Sequence, residues 1–251
     1  MEGKILGLDI SSTCAGWSVA ERINGTSVKV KPLVVGALKF KSKDAETRLF
    51  SNVNEFGCLM DYIIGTYDDI DTVIIEEAIP NTTININTTA TLLRFNGMCS
   101  LEVYKKTGLI PRYISSYNAR RYGFPSLSEV RFIDKKGEKY PAKKILADIK
   151  KGNAPVFGGY ASDIDKKVVI WEILNDKYPY IQWLKNTRGG FEKTNYDASD
   201  SLALIEGYVN MIENGYADTT PSCSLLHEYP DRIEYSIGFC GEHSDKIISL
   251  G

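Results

Sequence analysis

The chain has 251 residues, of which 43% are hydrophobic, 25% charged and 11% aromatic. That is ordinary globular composition; it excludes a disordered chain, and the length suffices to bury a sizeable core. The net charge of -2 does not by itself announce a polyanion partner, and no stretch approaches the ~20 apolar residues of a membrane span, so no membrane partner is expected. The N-terminus lacks the basic-then-apolar layout of a signal peptide. Cys14, Cys58, Cys99, Cys223 and Cys240 are odd in number and scattered, which predicts reduced thiols and a cytoplasmic protein. With only His227 and His243 present, a histidine triad is disfavoured.

Residues 4–10 alternate and carry Asp9 near their end, predicting a strand with a carboxylate at the sheet edge. Small polar residues 11–16 predict a turn. Residues 17–21 and 27–40 predict two further strands joined by the hairpin signal Asn24-Gly25. Apolar spacing over 46–64 predicts a helix. The β-branched run 72–75, followed by Glu76-Glu77, predicts a buried strand. Residues 81–87 read as a polar loop, 89–106 as a helix, 112–115 as a short strand, and 165–176 and 199–213 as the last helices. The expected order is β-β-β-α-β-α-β-α-α, a mixed sheet covered by helices.

Residues 120–162 interrupt this order with glycines, prolines and lysines, and predict a basic insertion of about 120–163 before the last core helices. Between Arg120 and Lys167 twelve basic residues face six acidic ones, a net +6; from Glu192 to Gly251 three basic residues face eleven acidic ones, a net -8. Residues 1–218 are expected to form one domain and 219–251 a C-terminal extension. Within that extension, 232–239 alternates like an edge strand.

Four acidic residues fall where the chemistry is expected. Asp9 closes the first strand, Glu76 the buried one, and Asp197 and Asp200 stand three apart where the last helix is expected to begin, sharing a helix face. Carboxylates on adjacent strand ends and on a helix packed against them can converge, and their repulsion must be offset by cations. Hard oxygen ligands suit Mg²⁺, with Mn²⁺ as substitute. Two such ions per site can clamp both oxygens of a phosphodiester displacement. Phosphate contact is expected from Arg120, Arg121, Lys143, Lys144, Lys150, Lys151, Lys166 and Lys167. Lys166 and Lys167 are also placed to stabilise charge at a scissile phosphate. Tyr117, Tyr122 and Phe124 are candidates for base stacking and Phe95 for a wedge, each against a core reading that suits such aromatics better.

Ile5-Leu6-Gly7-Leu8-Asp9-Ile10-Ser11 with Gly16-Trp17-Ser18-Val19 resembles the opening of RuvC-type Holliday junction resolvases. Val73-Ile74-Ile75-Glu76-Glu77-Ala78 resembles their second motif, Asn96-Gly97 their following helix, and Asp197-Ala198-Ser199-Asp200-Ser201-Leu202-Ala203-Leu204 their closing one. The resemblance covers about 4–107 and 165–214. It implies a ribonuclease H-like fold, a homodimer, and Mg²⁺-dependent cutting of four-way DNA junctions. It makes Asp9 the metal-bridging carboxylate, puts Glu76 on one ion and Asp200 on the other, and has Asp197 complete the site. Glu77 stands where the family often has an uncharged residue, and is read as supporting or structural. The extra length and the acidic net charge depart from the family; they suit a diverged, phage-encoded member with broader branched-DNA activity.

Alternatives stay open. The turn after the first strand also resembles the phosphate turn of actin-like and sugar-kinase ATP-binding proteins, although no second nucleotide loop is found. A ribonuclease acting on RNA–DNA hybrids would share the chemistry. A non-catalytic scaffold of the same fold would not need all four carboxylates.

Overall fold

In a computed structural model of the chain, residues 3–23, 29–42, 47–78, 86–125, 166–188 and 191–215 are described. The opening meander is β1 (Lys4–Ile10), β2 (Cys14–Arg22) and β3 (Val30–Lys39). β2 begins three residues earlier than expected, because Ala15 and Gly16 pair with Ile10 and Asp9 of β1 and Cys14 pairs with Lys39 of β3, so none of them belongs to a turn. Helix α1 (Arg48–Thr66) leads to β4 (Ile70–Glu76), and α2 (Ile86–Thr107) leads to β5 (Arg112–Ile114). Two closing helices follow, α4 (Lys166–Lys177) and α5 (Thr194–Glu213).

Three expectations need correction. Residues 116–123 form a helix, α3 (Ser116–Gly123), where the start of a basic loop was expected. Ser115 caps it by accepting a hydrogen bond from the Asn118 amide, a local signal overshadowed by the surrounding basic residues. Arg120 and Arg121 therefore sit on a packed helix. Asn87 belongs to α2 and not to the polar loop. Helix α5 starts at Thr194, five residues early, so Asp197 and Asp200 lie within its first two turns. The Asn24-Gly25 turn, most of the insertion, the strand reading of 232–239 and the boundary at 218/219 lie outside the described residues.

The strand order is β3-β2-β1-β4-β5. β1, β2 and β3 are antiparallel neighbours, while β4 and β5 run parallel to β1. This mixed five-stranded α/β sheet flanked by helices is the ribonuclease H-like architecture expected. Its pleat sorts residues by parity. Leu6, Leu8, Ile10, Val73 and Ile75 join Val53, Phe56, Met60 and Ile63 of α1 and Phe95, Cys99 and Val103 of α2 in one core. Ile5, Ala20 and Ile74 join Val169, Ile170 and Leu174 of α4 and Leu202, Ile205 and Val209 of α5 in the other. Gly7 and Asp9 share the parity of Ile5, and Glu76 that of Ile74, so both acids belong to the α5 face. Among the described residues no helix is long and apolar enough to cross a membrane.

Candidate active site

The site forms at the carboxyl ends of the two central parallel strands, where open α/β sheets leave a crevice. Leu8 pairs with Ile75, so Asp9 and Glu76 are the next residues of adjacent strands. Their charges lie close enough that Glu76 raises the Asp9 pKa. The Asn96 side chain on α2 donates to the Glu76 carbonyl at 3.3 Å and holds the strand end. Glu77 is exposed, on the opposite parity.

Helix α5 delivers the other two carboxylates, and glycines let it come close enough. A β-carbon on Gly7 would lie 2.4 Å from the Ser201 carbonyl oxygen, and one on Gly16 only 2.0 Å from that of Asp197. No side chain fits in either gap, so the helix backbone lies directly on β1 and β2. On its other flank a β-carbon on Gly207 would come within 2.5 Å of Ala119 on α3.

One ammonium group binds the acids together. Lys167 Nζ lies 2.6 Å from Asp200 Oδ2, 3.5 Å from Asp197 Oδ1 and 3.9 Å from Asp9 Oδ2. Helix α4, which carries Lys167, is also fixed at its far end: Lys177 donates to Glu206 Oε1 of α5 at 2.7 Å, and the Tyr178 hydroxyl bonds the same buried carboxylate.

The electrostatics record crowded negative charge. Burial, then the neighbouring Glu76, pushes the Asp9 carboxyl well above the usual carboxylate range, and Lys167 only partly offsets this. Burial raises Asp200 to about 6 against the opposing charge of Lys167, with Arg120 acting in the same sense as Lys167. The carboxylates and burial in turn pull Lys167 in opposite directions, and it ends above the ordinary lysine value. Burial, then the neighbouring charge of Asp197, pushes the Cys14 thiol up to about 12. It is a protonated packing group and not a nucleophile.

Among the described residues no three His, Cys, Asp or Glu side chains already stand as a cage around one point; the Lys167 ammonium lies between the acids instead. The donor set nonetheless fits hard divalent cations. It is all oxygen, it holds more negative charge than its burial tolerates without a cation, and part of it remains open, Asp197 being one-third exposed. Asp9, Glu76, Asp197 and Asp200 would hold the ions.

The predicted DNA contacts divide. Lys167 lies at the site, and Lys166 beside it opens α4. Arg120 reaches the electrostatic range of Asp200 because Gly207 brings α3 against α5. This convergence was missed from the sequence, although a basic residue one helix turn before Gly123-Phe124 was its visible trace. Arg121 is exposed and covers the Tyr122 ring at 5.6 Å. Lys143, Lys144, Lys150 and Lys151 lie outside the described residues. Phe124 is buried, which bears out the favoured core reading over base stacking. Phe95 is fully buried edge-on against Phe40, 5.4 Å between centroids, which bears out the favoured core reading over the wedge. Tyr122 packs against the core, while Tyr117 is exposed.

No protein-family model matches the sequence, and no curated protein does. Solved structures resemble it remotely. The Thermus thermophilus RuvC structure aligns at 13% identity and a TM-score of 0.47, covering 85% of this chain and 97% of that one. T. thermophilus RuvC in complex with Holliday junction substrate gives 11%, 0.49 and the same coverage. The Aquifex aeolicus PPX-GPPA enzyme gives 13% and 0.37, covering 85% of this chain and 93% of that one.

Proposed function

We propose that this protein is a metal-dependent, structure-selective DNA endonuclease that cuts Holliday junctions or other branched DNA by phosphodiester hydrolysis. The carrying observation is the meeting of four carboxylates at one sheet edge: Asp9, Asp197 and Asp200 around the Lys167 ammonium, with Glu76 beside Asp9 on the next strand. Asp9, Glu76, Asp197 and Asp200 would hold two Mg²⁺ or Mn²⁺ ions, which when bound supply Lewis-acid stabilisation and an activated water. The chain's own groups do the rest. Lys167 and Arg120 balance the charge of the acids and attract a phosphodiester. Burial of Asp9 and Asp200 excludes water from one side. The backbone packing of α5 on Gly7 and Gly16 fixes the acids relative to the strands.

The actin-like alternative needs free amides in the turn after β1 to cradle phosphate. The Ser11 hydroxyl already accepts the Cys14 amide at 3.0 Å and the Thr13 amide at 3.4 Å, and the Ser11 amide bonds the Cys14 carbonyl. That self-closed turn favours the nuclease reading.

A four-way junction presents two equivalent strands, and one site in each of two subunits matches that symmetry. Leu93, Leu101 and Tyr104 expose an apolar stripe on α2 with the open Gly97 at its centre, a surface suited to a homodimer. Lys143, Lys144, Lys150 and Lys151 of the basic insertion would extend the DNA path. The test is a panel of labelled four-way, three-way, flap and linear duplex DNAs and an RNA–DNA hybrid, each with and without Mg²⁺. The proposal expects Mg²⁺-dependent cutting of branched DNA above linear duplex and hybrid. Cutting confined to the hybrid, or none on any DNA, would refute it.

A further inference from the structure

The segment between α4 and α5 is a small hairpin. Lys185 and Phe191 form an isolated bridge, and the Glu192 amide bonds the Leu184 carbonyl at 3.1 Å. Near its tip Asn186 accepts the Arg188 amide at 2.9 Å, a turn built on an Asn side chain.

The hairpin is fastened to the helix turn that bears Asp197. The buried Asn195 side chain donates to the Leu184 carbonyl at 2.9 Å and accepts its amide at 3.1 Å. Asn195 stands two residues before Asp197, a rise of about 3 Å along the axis. On the other side Phe191 packs on Trp171, with centroids 4.5 Å apart and planes at 59°. Trp171 follows Lys167 by one helical turn, and its ring also meets Tyr196, the neighbour of Asp197, at 6.0 Å. Both attachments therefore lead to the carboxylate site.

Despite this support Phe191 remains 44% exposed and Leu184 60% exposed. An aromatic side chain backed by indole and open to solvent can take a planar group. The charge around it selects which one: Lys185, Arg188 and Lys193 are exposed, against a single acid, Glu192, in residues 184–193. Stacking surface flanked by cations is the combination that holds single-stranded nucleic acid.

We propose that this hairpin is a second DNA-contacting element, in which Phe191 stacks on an unpaired base of the strand beside the scissile phosphate and Lys185 and Arg188 hold the phosphates that flank it. The inference rests on the branched-DNA reading and deepens it. A base must leave its stack to reach Phe191, which costs least at a branch point, so the hairpin gives the enzyme a way to prefer branched over linear DNA.

The experiment uses the full chain in EDTA, which separates binding from cutting. A four-way junction carrying 2-aminopurine at the branch point, a linear duplex of equal length and a short single-stranded oligonucleotide with 2-aminopurine are titrated by fluorescence. Wild-type protein should quench the probe in the junction and in the oligonucleotide, as stacking does. Phe191→Ala should abolish that quench and weaken junction binding about ten-fold or more while changing duplex binding less than about two-fold. Phe191→Tyr should restore both. Arg188→Gln, which removes no packing, should lower the log–log salt slope by about 0.9. Unchanged quench and junction affinity in Phe191→Ala, or no quench by wild type with the oligonucleotide, overturns the hairpin proposal. Quench of the oligonucleotide together with equal affinity for junction and duplex would retain base stacking but sink the branched-DNA reading and the preference drawn from it.

Discussion

Gly16 of β2 lies directly under Asp197 of α5, so close that a β-carbon would stand 2.0 Å from the Asp197 carbonyl oxygen. The obstacle is backbone on both sides and cannot rotate away. Gly16→Ala must lift the N-terminal end of α5 or bend β2. Overpacking of this kind costs about 1–3 kcal/mol, and a shift near 1 Å at a catalytic group costs about a hundred-fold in rate. Urea denaturation and single-turnover cleavage should show both losses, with the activity loss the larger. Wild-type rates in Gly16→Ala would mean that the position of Asp197 does not matter.

Asp200 and Asp9 give the metal-free protein an unusual pH dependence. The folded-state pKa of Asp200, about 6, lies above its ordinary 3.8, so between these values the folded protein binds more protons than the unfolded chain. Stability is then greatest below about pH 4 as far as this group is concerned, and falls as pH rises through 6. At about 1.4 kcal/mol per unit the loss is on the order of 3 kcal/mol, and Asp9 acts in the same direction. In EDTA, the stability difference between Asp200→Asn and wild type should grow in favour of the mutant from pH 4 to pH 7.5, and Mg²⁺ should shrink it. A mutant less stable than wild type at pH 7.5 in EDTA contradicts this.

Among the described residues Lys167 supplies the ammonium group that touches three of the acids. Lys167→Met should slow cleavage by about 10²-fold or more, the size expected on losing one charge-stabilising donor. It should also raise the protein's melting-temperature gain on adding Mg²⁺, because the ammonium in contact with Asp9, Asp197 and Asp200 is then gone. An unchanged gain would show that Lys167 and the ions do not share the same acids.

The α2 stripe can be tested without DNA. Leu101→Asp puts a charge in the middle of the proposed dimer surface and touches neither core, since Leu101 is exposed. Light scattering should find wild type at twice the monomer mass and Leu101→Asp at the monomer mass, with paired cuts on a junction becoming uncoupled nicks. A monomeric wild type, with and without junction DNA, defeats the dimer.

Much of this was legible in the residues. The alternation of 4–10 and the apolar run 72–75 put Asp9 and Glu76 at strand ends, while their common face follows from the Leu8–Ile75 register and the pleat. The Asp197-Ala198-Ser199-Asp200 spacing puts the other two acids on one helix face. The close approach of α5 was not legible: Gly7 and Gly16 look like turn or strand-weakening residues until the helix lying on them is known. Nor was α3, whose arginines and half-polar faces disguise a helix held by the Ala119–Gly207 contact. Arg120 and Lys167 reach the acids only through tertiary packing, which no spacing records. Phe95 and Phe124 are buried, as the favoured core reading expected.

The most direct test of the account is cleavage of a labelled four-way junction in Mg²⁺ by Asp9→Asn, with junction binding measured on the same preparation. The substitution keeps the shape of the residue and removes the charge that faces Glu76, Asp197 and Lys167. Cleavage should vanish while binding stays within a few-fold of wild type; Glu76→Gln should behave alike, and the exposed Glu77→Gln should keep substantial activity. Near wild-type cleavage by Asp9→Asn would contradict the account at its centre.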